Sequence, residues 1–361
     1  MEVITLMQGD EMSDLTPLFL VHAISGVALP FLRLDSLSDE DDRPVYGITS
    51  PLHCPGGDSF KYPTSLKDLA AYYLKGIREI QPEGPYLLGG WSMGGMISMF
   101  MAQMLEAQGE EVIKVIMIDS ANPEVFPQFK SEQEHRALAK ATFNRTVSGG
   151  GLQSDDDEGS EDGSTVSSPI GHNFAAGDYK LSFSRRSSTW NSASSSTVSS
   201  ARSSAASIFD TNSPITFLES PLSDAYLTDD SEFDSDCDTE CDEPPAMEDF
   251  MQQIKTHIHR GLGLISNVKP GDLFEPGKKS NFDAILIKCT TEIPCAVRKP
   301  EIFPGAQLIE IVMRERNMRW DPAQFRSFES IPFSGDHDGA FQPQYVEELS
   351  SILRECIEDV E

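Results

Sequence analysis

The stretch from Tyr86 to Leu105 constrains this chain more than any other. Tyr86-Leu87-Leu88-Gly89 is a short apolar run that reads as a strand, and Met96 to Leu105 is an apolar, helix-forming run that reads as a helix. Between them stand only Gly90-Trp91-Ser92-Met93-Gly94-Gly95. A strand that passes into a helix over so few residues turns sharply and places Ser92 at the tip, its backbone strained and its hydroxyl exposed. Gly90 and Gly94 suit such a turn because strand and helix approach closely there. Gly-x-Ser-x-Gly alone arises by chance in many chains, and a serine among glycines is usually only a turn residue. The flanking strand and helix give the motif its meaning.

That arrangement is the nucleophile elbow of an α/β-hydrolase fold, an α/β architecture with a mostly parallel central sheet and flanking helices. A serine hydroxyl is a weak nucleophile at neutral pH and needs a base, which in turn needs a group to orient it. In this fold the chain order is serine, acid, histidine. Of seven histidines, His22 and His53 precede the serine. His135, His257 and His259 sit in helix-like patterns, and His172 lies in low-complexity sequence. His337 remains, in the loop Ser334-Gly335-Asp336-His337-Asp338-Gly339 before a closing helix over Pro343 to Ile357. Two acids are candidates. Asp119 ends the β-prone run Val112 to Ile118, which follows the elbow after one helix and should be the next parallel strand. Both strands would then finish at one sheet edge, where open α/β sheets hold their active sites. Glu292 follows the later strand Ala284 to Cys289 and is the alternative. An aspartate after a strand is also a common turn cap. The oxyanion hole should use the backbone N–H of Met93, after the serine, and one from His22-Ala23-Ile24-Ser25-Gly26, the loop after the early strand Leu18 to Val21. Ile24 is the expected second donor, with Ala23 or Ser25 as alternatives.

The chain carries a net charge of −30 in 361 residues, which disfavours nucleic acid and anionic membrane as partners. Half of it lies between Thr146 and Ala246, with 19 acidic and 4 basic side chains in a background of Ser, Thr, Gly and Asp. Ordering such a segment costs more than its burial returns, so it is expected to be disordered. Without it about 260 residues remain, the size of one α/β domain. The expected organisation is therefore a first core segment over 1–145, an acidic Ser-rich insertion over 146–246, and completion of the core over 247–361. Both flanks of the insertion read as helices: Ser131 to Lys140, and Met247 to Ile265 with Phe250, Ile254 and Ile258 on one face. Six scattered cysteines form no metal framework and fit a reducing compartment. Asp234 to Glu240 lacks the glycine and the later glutamate of a calcium loop, so it reads as a solvated charge run and no metal is expected. There is no basic-then-apolar leader and no apolar run of membrane-spanning length, so the expected location is the cytoplasm.

Several of these pieces together resemble the thioesterase family of polyketide and non-ribosomal peptide biosynthesis. They are Pro17 to His22 with Ser25-Gly26, Gly84 to Gly95, Ile118-Asp119-Ser120, Gly335-Asp336-His337 and Val346 to Leu349, and the likeness covers roughly 3–143 and 247–357. The Ala23-Ile24 pair and the long segment between acid and base depart from the family pattern. The resemblance implies Asp119 rather than Glu292 as the acid, and a helical lid interrupted by the insertion. It also implies an acyl-serine mechanism on a thioester borne by the phosphopantetheine of an acyl or peptidyl carrier protein, with no other cofactor. The chain is expected to be free-standing and to release or edit a polyketide or peptide product. A hydrolase of small free esters or lactones, and a non-catalytic binding protein of the same fold, are the alternatives.

Overall fold

Seven strands line up in one sheet because their apolar side chains alternate between two buried faces. The computed structural model describes residues 2–38, 42–149, 245–275, 277–291 and 305–360. In chain order the elements are β1 (Ile4–Gln8), β2 (Leu18–Val21), β3 (Val45–Ile48), α1 (Leu66–Ile80), β4 (Tyr86–Trp91), α2 (Met93–Ala107), β5 (Val112–Ile118), α3 (Glu132–Gly149), α4 (Pro245–Ser266), β6 (Asp283–Cys289), α5 (Ala306–Arg314), β7 (Ser327–Phe333) and α6 (Pro343–Ile357). The sheet order is β1-β3-β2-β4-β5-β6-β7, with β1 antiparallel to β3 and every other pair parallel.

Along β2, Phe19 and Val21 face a core built with α1, α2 and α4, while Leu18 and Leu20 face a second core built with α6 and the short turn Leu29–Arg33. The same alternation runs through β5 and β6, where Val115, Met117, Ala284 and Leu286 face one side and Ile116, Ile118, Ile285 and Ile287 the other. A parallel sheet covered on both faces needs this near-continuous apolar sequence. α6 begins with Pro343, which suits a first helical turn.

Register places the functional loops together. Val21 pairs with Gly90, Trp91 with Ile118, Ile118 with Ile287, and Cys289 with Phe333. The carboxyl ends of five parallel strands therefore finish at one edge, and the loops leaving β2, β4, β5, β6 and β7 all emerge there. The helices flanking the expected insertion, α3 and α4, stand above that edge. Nearly all of 146–246, including the charge run over 234–240, lies outside the described residues, as does Glu292. Among the described residues no helix is long and apolar enough to cross a membrane.

Candidate active site

Ser92 sits between the last residue of β4 and the first of α2 with φ 55° and ψ −119°. A side-chain-bearing residue rarely adopts this left-handed conformation, which costs on the order of 1–3 kcal/mol and persists only where the surroundings enforce it. Here its N–H donates to the Ile118 carbonyl at 2.8 Å, extending the β4–β5 ladder by one residue. Close packing of β4 on α2 does the rest. A Cβ on Gly90 would lie 2.4 Å from the Gly94 carbonyl carbon, and one on Gly94 would lie 2.1 Å from the Val21 carbonyl oxygen. Only hydrogen fits at either position.

His337 approaches from the β7–α6 loop. Its Nε2 lies 3.0 Å from Ser92 Oγ, and its Nδ1 lies 2.7 Å from Asp119 Oδ2. A carboxylate only accepts, so Nδ1 carries the proton and Nε2 presents a lone pair to the serine hydroxyl. The imidazole is held from its own backbone as well: Trp91 Nε1 donates to the His337 carbonyl at 3.0 Å. Asp336 Oδ1 accepts from the N–H groups of Asp338 and Gly339, which closes the loop into a turn.

Asp119 also has a positive φ, 45°, and is 1% exposed. Its N–H donates to the Ile287 carbonyl at 2.8 Å, one step past the β5–β6 ladder. While Oδ2 faces His337, Oδ1 accepts from the Cys289 N–H at 3.0 Å and from Lys288 Nζ at 3.2 Å. Burial pushes the carboxyl upward, but the hydrogen bond and charge of His337, with the Lys288 ammonium, outweigh it and hold Asp119 below the usual carboxylate range. Lys288 and the Cys289 amide escaped the sequence reading. A lysine near the end of the buried run Ala284 to Cys289 was the available signal, since a buried cation requires a partner. The amide has no side-chain signature.

Ser92, Asp119 and His337 share a cavity of about 560 Å³, within the range of small-molecule sites. Its walls include Met96 of α2, Leu138 of α3, Leu262 of α4 and Val312 of α5, with Phe126 on the loop after β5. Arg145 of α3 lines it too and pairs with Asp338 at 2.6 Å, so the β7–α6 loop is tied to the overlying helices. Ile24 lines the same cavity. Met93 is the first residue of α2, where backbone N–H groups have no partner within the helix.

Among the described residues, the other histidines lie apart from Ser92. His22, His53 and His257 cluster beneath the loop after β2. His135 of α3 stacks on His259 of α4 with ring centroids 3.9 Å apart, and the His135 ring nitrogen Nε2 donates to the His259 carbonyl at 2.7 Å. Glu132 brings a carboxylate to within 4.8 Å of both rings. That carboxylate is also engaged by Arg136 at 2.9 Å, and the group reads as a tie between α3 and α4.

A strand-turn-helix serine, a following-strand aspartate and a late-loop histidine, all at the carboxyl edge of this sheet, define an α/β-hydrolase fold. A family model described as Thioesterase domain matches residues 16–167. The chain is 35% identical to Thioesterase pytI of Aspergillus terreus, with 100% of each chain covered. A segment making up 35% of the chain is 39% identical to 6% of the non-reducing polyketide synthase PFUR17_0229 of Pseudevernia furfuracea. Among solved structures, a covalent complex of the NocB thioesterase domain with a fluorophosphonate nocardicin G analog superposes with a TM-score of 0.52 at 16% identity, covering 98% of this chain and 99% of that one, a likeness of fold. The chain belongs to the thioesterase family, and is thus a hydrolase by family.

Proposed function

We propose that the protein cleaves an acyl thioester carried on the phosphopantetheine arm of a carrier protein, through an acyl-serine intermediate. The observation that carries this reading is the continuous hydrogen-bonded chain from Ser92 Oγ through His337 to Asp119. Ser92 Oγ attacks the thioester carbon while its proton passes to His337 Nε2. The imidazolium that forms is balanced by Asp119, already ionised and held by Lys288. Backbone N–H groups of Met93 and Ile24 receive the charge on the carbonyl oxygen. The C–S bond then breaks and the departing thiolate takes the proton from His337, leaving an ester on Ser92. Water attacks that ester, His337 accepts its proton, and Ser92 leaves protonated as the carboxylic acid is released. The step balances without redox chemistry. The apolar wall of the cavity suits an acyl group with an apolar body, and relatives that include a polyketide synthase support a carrier-borne substrate.

The test compares turnover of an acyl thioester on carrier-bound phosphopantetheine with turnover of the matching free oxygen ester. The carrier thioester is expected to be hydrolysed faster, and Ser92→Ala is expected to lose roughly a million-fold in kcat. Preference for the free ester would instead favour a small-ester hydrolase.

A further inference from the structure

Three of the histidines outside the Ser92–His337–Asp119 chain form one cluster, and two of them are fully buried. They come from three places in the fold: His22 at the end of β2, His53 in the short turn Pro51–His53, and His257 on α4. They converge on three successive carbonyls. His22 Nδ1 lies 2.6 Å from the Ala23 oxygen, His257 Nδ1 lies 2.8 Å from the Ile24 oxygen, and His53 Nε2 lies 2.9 Å from the Ser25 oxygen. A carbonyl only accepts, so each of these ring nitrogens donates. On the far side of two rings stand phenols: the Tyr73 hydroxyl is 2.6 Å from His22 Nε2 and the Tyr62 hydroxyl is 3.1 Å from His257 Nε2. With the ring proton already committed, each Nε2 accepts from its tyrosine, and both tautomers are fixed.

The consequence follows from peptide geometry. In a trans peptide the C=O and N–H point in opposite directions. The Ala23 carbonyl shares a peptide with the Ile24 N–H, and the Ile24 carbonyl with the Ser25 N–H. Holding these carbonyls on the histidine side turns both N–H groups to the opposite side. Ile24 lines the cavity that contains Ser92, whereas His22, His53 and His257 do not. The loop is packed to permit this. Gly26, at φ 85°, has no room for a Cβ, which would fall 2.7 Å from atoms of His257 and of His53. One helical turn beyond His257, a Cβ on Gly261 would lie 2.7 Å from Ile24 Cδ1 and 2.9 Å from Met93 Sδ, so α4 rests directly on both expected oxyanion residues.

We infer that His257 is a positioning residue for the oxyanion site: by gripping the Ile24 carbonyl from α4 it fixes the Ile24–Ser25 peptide, directly after the Ile24 N–H that His22 orients through the Ala23 carbonyl, and so sets loop 23–25 against Ser92 and couples the placement of α4 to the readiness of that site. The inference rests on the acyl-serine reading of Ser92. It adds that a side chain contributed by a helix above the sheet edge, 233 residues away in the chain, organises a backbone donor.

The test uses an alkyl boronic acid, which forms a tetrahedral adduct on an active serine and places an oxygen in the oxyanion hole. His257→Met removes the grip, and His257→Asn keeps an N–H donor near the Nδ1 position. Affinity for the boronic acid is expected to fall about tenfold or more in His257→Met, because removing an oxyanion donor outright costs roughly 10²–10³-fold and misdirecting one costs part of that. His257→Asn should recover most of it, and affinity for a non-hydrolysable thioether analogue should stay within about twofold in both. With thioester substrate the loss should appear in kcat and leave KM nearly unchanged. Equal boronate affinity in wild type and His257→Met overturns the inference, as does an equal loss of boronate and thioether binding. If His257→Met does not fold, Tyr62→Phe, which releases the outer nitrogen of the same ring, is judged by the same ratio. Boronate binding that depends on His257 in a protein that does not cleave thioesters would retain the clamp and reject the substrate proposed above. A wild type that binds no boronate at all would reject both.

Discussion

Asp119 combines near-complete burial, a left-handed backbone and four hydrogen-bonding or ionic partners. A buried carboxylate is costly unless each lone pair is used, and here one oxygen serves His337 while the other is claimed by Lys288 and the Cys289 amide. The division has a functional sense: Lys288 and the amide keep the charge on Asp119 without competing for the oxygen that orients the imidazole. Lys288→Met is the revealing substitution. Burial would then raise the Asp119 carboxyl with less to oppose it, so the acid limb of the kcat/KM profile should move to higher pH, with kcat/KM at neutral pH falling about tenfold. Losing the two charged hydrogen bonds of Lys288, to Asp119 and to the Cys289 carbonyl, should also cost about 1–3 kcal/mol in urea unfolding. An acid limb that stays in place would mean that Lys288 is only a structural partner. Trp91, beside the serine, has a comparable second task, because its indole N–H fixes the His337 backbone.

At the scale of elements, the histidine cluster joins β2, the Pro51–His53 turn and α4 by neutral hydrogen bonds. Burial depresses all three rings, His22 to about 4 and His257 well below its ordinary value, with the neighbouring histidines and Arg260 reinforcing the effect on His257. The phenols of Tyr62 and Tyr73 also face the cluster, and burial pushes both upward, so they stay neutral. Above pH 6.5 the rings are neutral in folded and unfolded chains alike. As pH falls below 6.5 the unfolded chain takes up protons that the folded chain refuses, so stability declines steadily toward pH 4. At about 1.4 kcal/mol per pH unit, His22 alone accounts for about 3 kcal/mol over that span. Asp119 is depressed, so its contribution is lost only at still lower pH. Urea unfolding at pH 7 and pH 4.5 should therefore show a loss of about 3 kcal/mol or more, and a flat profile would mean that these rings are charged in the folded protein. The sequence supplied the apolar elements of this frame well: β2, β5 and α6 coincide with their expected bounds, because buried parallel strands and an amphipathic helix leave strong patterns. It was silent on β3, α1 and α5, and also on the pair β1 and β7. Both are edge strands with partly exposed faces, and Pro332 interrupts the second, so neither has the continuous apolar run of a central strand. The histidine cluster was equally hidden, since its meaning lies in carbonyls, which have no letter in a sequence.

Across the whole molecule, parallel topology makes residues distant in the chain into neighbours. Ser92, Asp119 and His337 span 245 positions, yet each leaves a strand end that register brings to one sheet edge. That convergence was legible because the chemistry resides in side chains with a fixed chain order, serine then acid then histidine. The oxyanion loop was legible only as a location, the chain after β2, and Lys288 was not singled out at all. α3 and α4 bound the expected insertion and both wall the cavity that contains Ser92, so the site is lined by helices that lie on opposite sides of a long acidic segment in the chain. The most direct test of the central claim, covalent catalysis by Ser92, is intact-mass spectrometry of protein acid-quenched during turnover of an acyl-pantetheine thioester, beside Ser92→Ala. The account predicts a mass increase of one acyl group on the wild type and none on the variant; an adduct that persists in Ser92→Ala, or turnover with no adduct on the wild type under any quench, would contradict it.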